Sequence, residues 1–176
     1  MQRQSAAYFM VFLSGCSASY NDLSSAFGTA KNSTGSPLPA DSMVITSLRH
    51  RGATSYHGGV KIWASASSVD VDIGMFAMKP LSIPASEIAA CAMTCYGWAD
   101  QHVDLLIPRT GSDIEIPSSK TALEWCWINR KPMISGADER AWHYSGAALP
   151  PTSRYDDQFK SRQAFDEQTK QSCMGY

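Results

Sequence analysis

Five cysteines, Cys16, Cys91, Cys95, Cys126 and Cys173, are the residues of this 176-residue chain most able to do chemistry. A thiol can accept an acyl chain, join a second thiol, ligate a metal or act as a nucleophile, and spacing helps to decide among these. Cys91 and Cys95 lie four residues apart, no Cys-x-x-Cys occurs, and no second matching pair exists, so a metal site is not expected. The four histidines, His50, His57, His102 and His143, are scattered. A dyad of Cys91 or Cys126 with His102 can be drawn, as a thiol-dependent enzyme would need. Nothing in the spacing argues for it, because such dyads are assembled in space. The sequence contains no GxSxG elbow, GxxxxGK[ST] phosphate loop, HExxH or dinucleotide glycine pattern. It therefore predicts no enzyme, no cofactor and no metal.

Charge narrows the class of partner. Lys and Arg total 15 against 16 Asp and Glu, a net charge of −1. A nucleic-acid binder needs a basic surface to neutralise phosphates, so none is expected here. No apolar run approaches the roughly 20 residues that span a bilayer, and a soluble body of one domain is expected.

At the amino end an apolar stretch, Ser5 to Leu13, follows the single cation Arg3 and leads into Ser14, Gly15 and Cys16. Charge, apolar segment and small residues in that order are the plan of a signal peptide. Leu13-Ser14-Gly15-Cys16 resembles the lipobox of bacterial lipoproteins. That resemblance implies cleavage after residue 15, a diacylglyceryl group on the Cys16 thiol, and a membrane partner held through acyl chains. Each buried methylene contributes about 0.8 kcal/mol, so several chains are needed for lasting attachment. Ser17 in place of Asp implies the periplasmic face of an outer membrane. The competing reading is a cytoplasmic adaptor whose uncleaved amino terminus is a first strand or helix. The stretch 16–41 is low in large apolar residues and rich in Ser, Gly, Asn and Pro, which reads as a flexible tether.

The elements that must position the other cysteines begin near Met43. MVITSLRHR and VKIWAS read as strands, and VDVDIG places Val69, Val71 and Ile73 on one face with Asp70 and Asp72 turned to water. HVDLLIP and SDIEIP form an expected hairpin, with Arg109-Thr110-Gly111 at the turn and Val103, Leu105 and Ile107 facing Ile114 and Ile116. SSKTALEWCWINRK is the strongest helix, capped by Ser118 or Ser119. The expectation is a mainly β fold, an antiparallel sandwich or partly open barrel with a carboxyl-terminal helix, spanning 42–131. Residues 132–176 read as a polar tail with a possible surface helix. Ile83-Pro84-Ala85-Ser86-Glu87-Ile88, ahead of a hairpin and an amphipathic helix, resembles a segment of uncharacterised bacterial pleckstrin-homology-like domains. That resemblance implies a protein-interaction or membrane-surface module with an unidentified protein partner.

With Cys16 given to lipid, four cysteines remain and permit two disulfides in three pairings. If 86–96 is a strand, Cys91 and Cys95 stand about 13 Å apart on one face, beyond bridging. Either would then pair with Cys126 or Cys173. Arg49, His50, Arg51, His57 and Lys61 flank one loop and form a candidate anion or headgroup patch, worth at most about 1 kcal/mol per cation. Trp63, Trp98, Trp125, Trp127 and Trp142 are many for this length, and one of Trp125 and Trp127 should meet either solvent or the tail.

Overall fold

Strict alternation along short segments builds two facing sheets. The computed structural model describes residues 18–30, 35–74, 78–96 and 100–174. The expected signal segment, the expected acyl acceptor Cys16 and Trp98 lie outside the described residues. In β2 (Ser42–Ser47) Met43 and Ile45 are buried. In β4 (Lys61–Ala64) and β5 (Ser68–Asp72) the buried apolar residues are Ile62, Ala64, Val69 and Val71, as the two-residue period of a strand requires. β8 (Asp100–Ile107) and β9 (Ser112–Pro117) form the expected hairpin, with Val103 opposite Ile116 and Leu105 opposite Ile114. Gly111 turns the chain there at φ 63°, a conformation that costs glycine little.

Adding β1 (Ser36–Leu38), β3 (Gly52–His57), β6 (Leu81–Pro84) and β7 (Ala90–Tyr96) completes the sheets. One is four-stranded in the order β1-β4-β5-β6, the other five-stranded in the order β3-β2-β9-β8-β7. Every strand pairing is antiparallel. Val69, Val71, Leu81 and Ile83 of the first sheet share one apolar core with Ile45, Val103, Leu105 and Ile114 of the second. The fold is mainly β, an open sandwich and not a closed barrel, with helices at its carboxyl end. After Pro84 the chain makes a 3-10 turn, Ala85–Glu87, and Ile83 and Ile88 are fully buried on either side. Glu87 accepts from Arg109 Nη1 at 3.2 Å, which ties this turn to the β8–β9 hairpin.

Asp70 departs from the sequence reading. It is buried because β6 lies alongside, and Ser82 Oγ donates to Asp70 Oδ1 at 2.6 Å. A neighbouring hydroxyl thus replaces water as the carboxylate's donor.

The expected tether across 16–41 is also corrected for its described part. Ala18–Phe27 is a helix, α1, whose Tyr20 and Leu23 are buried in the main core. Tyr20 Oη donates to Lys79 O at 2.7 Å, and the helix packs on β2 and β6. It ends where Gly28, at φ 79°, returns its N–H to Ser24 O at 2.9 Å. Further on, β1 pairs with β4. Two well-placed large side chains suffice to dock a short helix, so low average hydropathy misled the reading of this stretch.

At the other end, α2 (Lys120–Ile128) starts at Ser119, whose side chain accepts from Ala122 N at 3.1 Å. Trp125 Nε1 donates to Ser65 O at 2.6 Å, which fastens α2 to the β4–β5 turn. Trp127 meets the polar segment beyond, with ring centroids 5.8 Å from Phe159 and 5.5 Å from Phe165. That segment is no loose tail. It carries α3 (Gly136–Ser145), a 3-10 stretch (Thr152–Phe159) and α4 (Arg162–Met174). Phe165 is fully buried, Gln158 Oε1 accepts from Met133 N at 2.8 Å, and Ser172 Oγ donates to Ile134 O at 2.6 Å.

Candidate functional site

Two cysteines on β7 direct the helices to their places. Cys91 is bonded to Cys126 of α2 and Cys95 to Cys173 of α4, with Cα separations of 6.5 Å and 5.6 Å. Of the pairings that the sequence left open, this is the one formed. β7 is a strand, so Cys91 and Cys95 point to the same side and each meets a different helix.

The basic patch is not assembled. Arg49 Nη1 and His50 Nε2 turn to Asp22 of α1, at 3.8 Å and 2.8 Å. Arg51 sits in the tight β2–β3 turn at φ 49°. His57 ends β3, roughly 20 Å along the strand from Arg51, and Lys61 opens β4 in the other sheet. The five residues do not share one face.

A different group does come together, on the outer face of the five-stranded sheet. Strand register brings Asp104 opposite Glu115, while Asp113 stands next to it opposite Leu106. These positions alternate with the core residues Val103, Leu105, Ile114 and Ile116, so their side chains leave the sheet on the other side. α3 then lies across them. Ser135 caps it, accepting from Asp138 N at 3.2 Å. Trp142 packs with Ala90, Ala92, Leu106, Ile134 and Tyr155 in a second, smaller apolar cluster. With Trp142 down, Glu139 and His143, one turn apart, face the sheet carboxylates. His143 Nε2 stands 3.7 Å from Asp113 Oδ1 and 3.7 Å from Glu139 Oε1. Thr94 Oγ1 donates to Asp104 Oδ2 at 2.5 Å. On the open side His102 Nδ1 is 3.1 Å from Glu115 Oε1, and Tyr96 Oη donates to Glu115 Oε2 at 3.3 Å.

The electrostatics follow from burial. Asp104 and Asp113 are 1% and 2% exposed, and neither Asp104 Oδ1 nor Asp113 Oδ1 receives a hydrogen bond. Desolvation, then the charges of Glu139 and Asp113, raise Asp104 well above the usual carboxylate range, and Glu139 hydrogen-bonds to it. Two carboxyl groups can share a hydrogen bond only when one of them keeps its proton. Desolvation pushes Asp113 up to about 7, against the opposing pull of the His143 cation. For His143 burial disfavours the cation, but Glu139 and Asp113 outweigh it and its pKa is raised.

Beside it opens a cleft of about 950 Å³. Its walls include Arg51 and Ala53 from the β2–β3 hairpin and Arg140 and His143 from α3. Tyr96, 58% exposed, and Tyr144, 87% exposed, stand along it. The third exposed large apolar residue among the described residues, Ile128 at 63%, lines a separate cleft of about 610 Å³ between α2 and the four-stranded sheet. Among the described residues no three or more His, Cys, Asp or Glu side chains are arranged to hold a metal.

No family model, curated protein or solved structure is similar to this chain. The site therefore has to be read from its own chemistry. Sequence reasoning gave Asp104, Asp113, Glu115 and Glu139 no role. The available signal lay in the segment read as a tail. Ser135-x-x-Asp138 is a helix start, and Glu139, Trp142 and His143 share one face of the helix it begins.

Proposed function

We propose that this chain is an envelope lipoprotein, acylated at Cys16, whose disulfide-stapled β body is a non-enzymatic module for binding another protein. The observation that carries the reading is the cysteine ledger: two bridges use Cys91, Cys95, Cys126 and Cys173, and the fifth cysteine of the sequence is Cys16. Lasting disulfides belong to oxidising compartments such as the periplasm, and a secreted chain with one cysteine left over needs a use for it. The lipobox resemblance gives that use. Among the described residues no helix is long and apolar enough to cross a membrane, so attachment through acyl chains suits the body. Because α1 starts at Ala18, the reading holds the body close against the membrane instead of at the end of a leash.

Binding is supported by the cleft on the five-stranded sheet. Tyrosines that combine an apolar ring with a polar tip are favoured at protein contact sites, and Tyr96 and Tyr144 stand exposed along one opening. The pleckstrin-homology-like kinship belongs to this same reading and rests on the Ile83–Ile88 segment with the hairpin and helix that follow it. Metabolic labelling with an alkyne fatty acid in a diderm host tests the anchor. Label on the full-length chain that disappears in Cys16→Ala is the expected result. Equal labelling of both, or none on either, overturns it.

A further inference from the structure

The carboxyl cluster beneath α3 asks for an occupant, and its geometry selects one. Asp104, Asp113, Glu115 and Glu139 line the inner wall of the cleft, and Asp104 Oδ1 and Asp113 Oδ1 are buried there without a hydrogen-bond partner. A proton needs no room to reach them. We infer that α3 is a proton-dependent clamp: it holds to the outer face of the five-stranded sheet while Asp104, Asp113 and Glu139 keep protons among them, and swings away, widening the cleft, when those protons leave. The inference rests on the reading of that cleft as a binding site and assigns its regulation.

The hinge is built into the ends of the helix. Ile134, just before α3, is fixed on both sides: its N–H donates to Cys91 O at 2.9 Å and its carbonyl accepts from Ser172 Oγ. At the far end Trp142 is the buried anchor. Gly146 closes the helix at φ 65°, and irregular chain runs on to Pro151. His143 and Tyr144, near that far end, border the cleft. A small rotation about Ile134 and Ser135 therefore moves the cleft wall most.

The titratable groups between the clamp and the sheet act in one direction; Asp138, held low against its burial by Tyr155, Ser135 and Arg154, acts in the other, below the ordinary carboxylate range. From the sheet come Asp104, Asp113 and Glu115, with His102 beside Glu115. From α3 come Glu139 and His143. Losing protons from the carboxyls adds negative charge at close range, and losing the proton from His143 removes the cation that offsets it. Arg51 and Arg140, which line the cleft, and Arg154, paired with Asp138 on the opposite flank, stay charged throughout. Against release stands the burial of Trp142.

The closed form binds more protons than the open one, so raising the pH favours opening. Between the carboxyls' free and closed pKa values the opening constant should rise about tenfold per pH unit for each proton released. Amide hydrogen exchange on the full-length protein, corrected for intrinsic rates, reads this directly. Peptides covering 136–145 are compared with those covering 103–107 and 112–117 from about pH 4 to 8. The expected result is a larger opening constant for α3 than for β8 and β9 at every pH, rising with pH, and a flattened rise in the Asp104→Asn/Glu139→Gln variant. An α3 that opens only together with the sheet, with equal constants, overturns the clamp, as does a pH-independent constant. The wild-type series decides even if the variant fails to fold. Neither acylation nor a partner enters the readout, so failure here is distinct from failure of the proposed function.

Discussion

Cys91 of β7 is bonded to Cys126 of α2 with both side chains fully buried, the Cα atoms 6.5 Å apart. The second bridge, Cys95 to Cys173, is only half-buried. The closed segments span sequence separations of 35 and 78 residues. Disulfides of this kind contribute about 2–4 kcal/mol each, chiefly by restricting the unfolded chain. Under native conditions a mild reductant should open Cys95–Cys173 first, because thiolate attack needs access. Timed alkylation and peptide mass mapping check the order. Simultaneous loss of both bridges would show that reduction requires global unfolding.

Tyr20 and Leu23 make α1 part of the body. Leu23→Ala should cost about 2–5 kcal/mol, the usual range for truncating a core leucine. Tyr20→Phe should cost roughly 1 kcal/mol, since it leaves Lys79 O without its donor. Urea denaturation measures both. A loss below a few tenths for Leu23→Ala would return this stretch to a tether.

Stability should fall as pH rises through neutrality. Asp113 sits at about 7 in the fold, above its unfolded value of about 4, so the stability it contributes is complete below that unfolded value. It is lost as pH climbs through the folded value. His143, also raised, contributes below its unfolded value of about 6.5 and loses that contribution as pH rises through its folded one. Both slopes have the same sign. Urea midpoints from pH 4 to 8 should decline, and Asp113→Asn should flatten the decline between its two pKa values. A midpoint that rises over that interval would contradict the burial of these carboxyls.

Gly74 takes φ 65°, and a Cβ there would stand 2.9 Å from Gly59 O. Gly74→Ala should therefore lose at least the roughly 1–2 kcal/mol that the left-handed conformation costs an L-residue. Gly28, also at positive φ but with open space around its Cβ position, should lose less on the same change. Paired thermal melts compare them.

What could be read from the sequence was the part governed by local periodicity. Val69 and Val71, the Val103–Ile116 and Leu105–Ile114 pairs, and the Ser119 cap follow from alternation, turn chemistry and capping, which act over a few residues. The helices α1 and α3 did not announce themselves, and α4 did so only as a possible surface helix, because one or two anchors each, Tyr20 and Leu23, Trp142, or Phe165, dock them on surfaces assembled from distant strands. The carboxyl cluster was hidden for the same reason. Asp104 and Asp113 occupy the positions of an ordinary solvated face, and only α3, arriving from beyond residue 135, removes their water. The bridges were legible as a set of four cysteines, and their partners were fixed only by which helix lies under each end of β7.

The most direct measurement is the intact mass of the protein recovered from membranes of a diderm host, taken without reductant and again after reduction. The expected result is a chain starting at residue 16 with an acyl-bearing first cysteine, and a gain of four hydrogens on reduction as two bridges open. An unprocessed chain beginning at Met1, or one that already carries free thiols at Cys91, Cys95, Cys126 and Cys173, would contradict it.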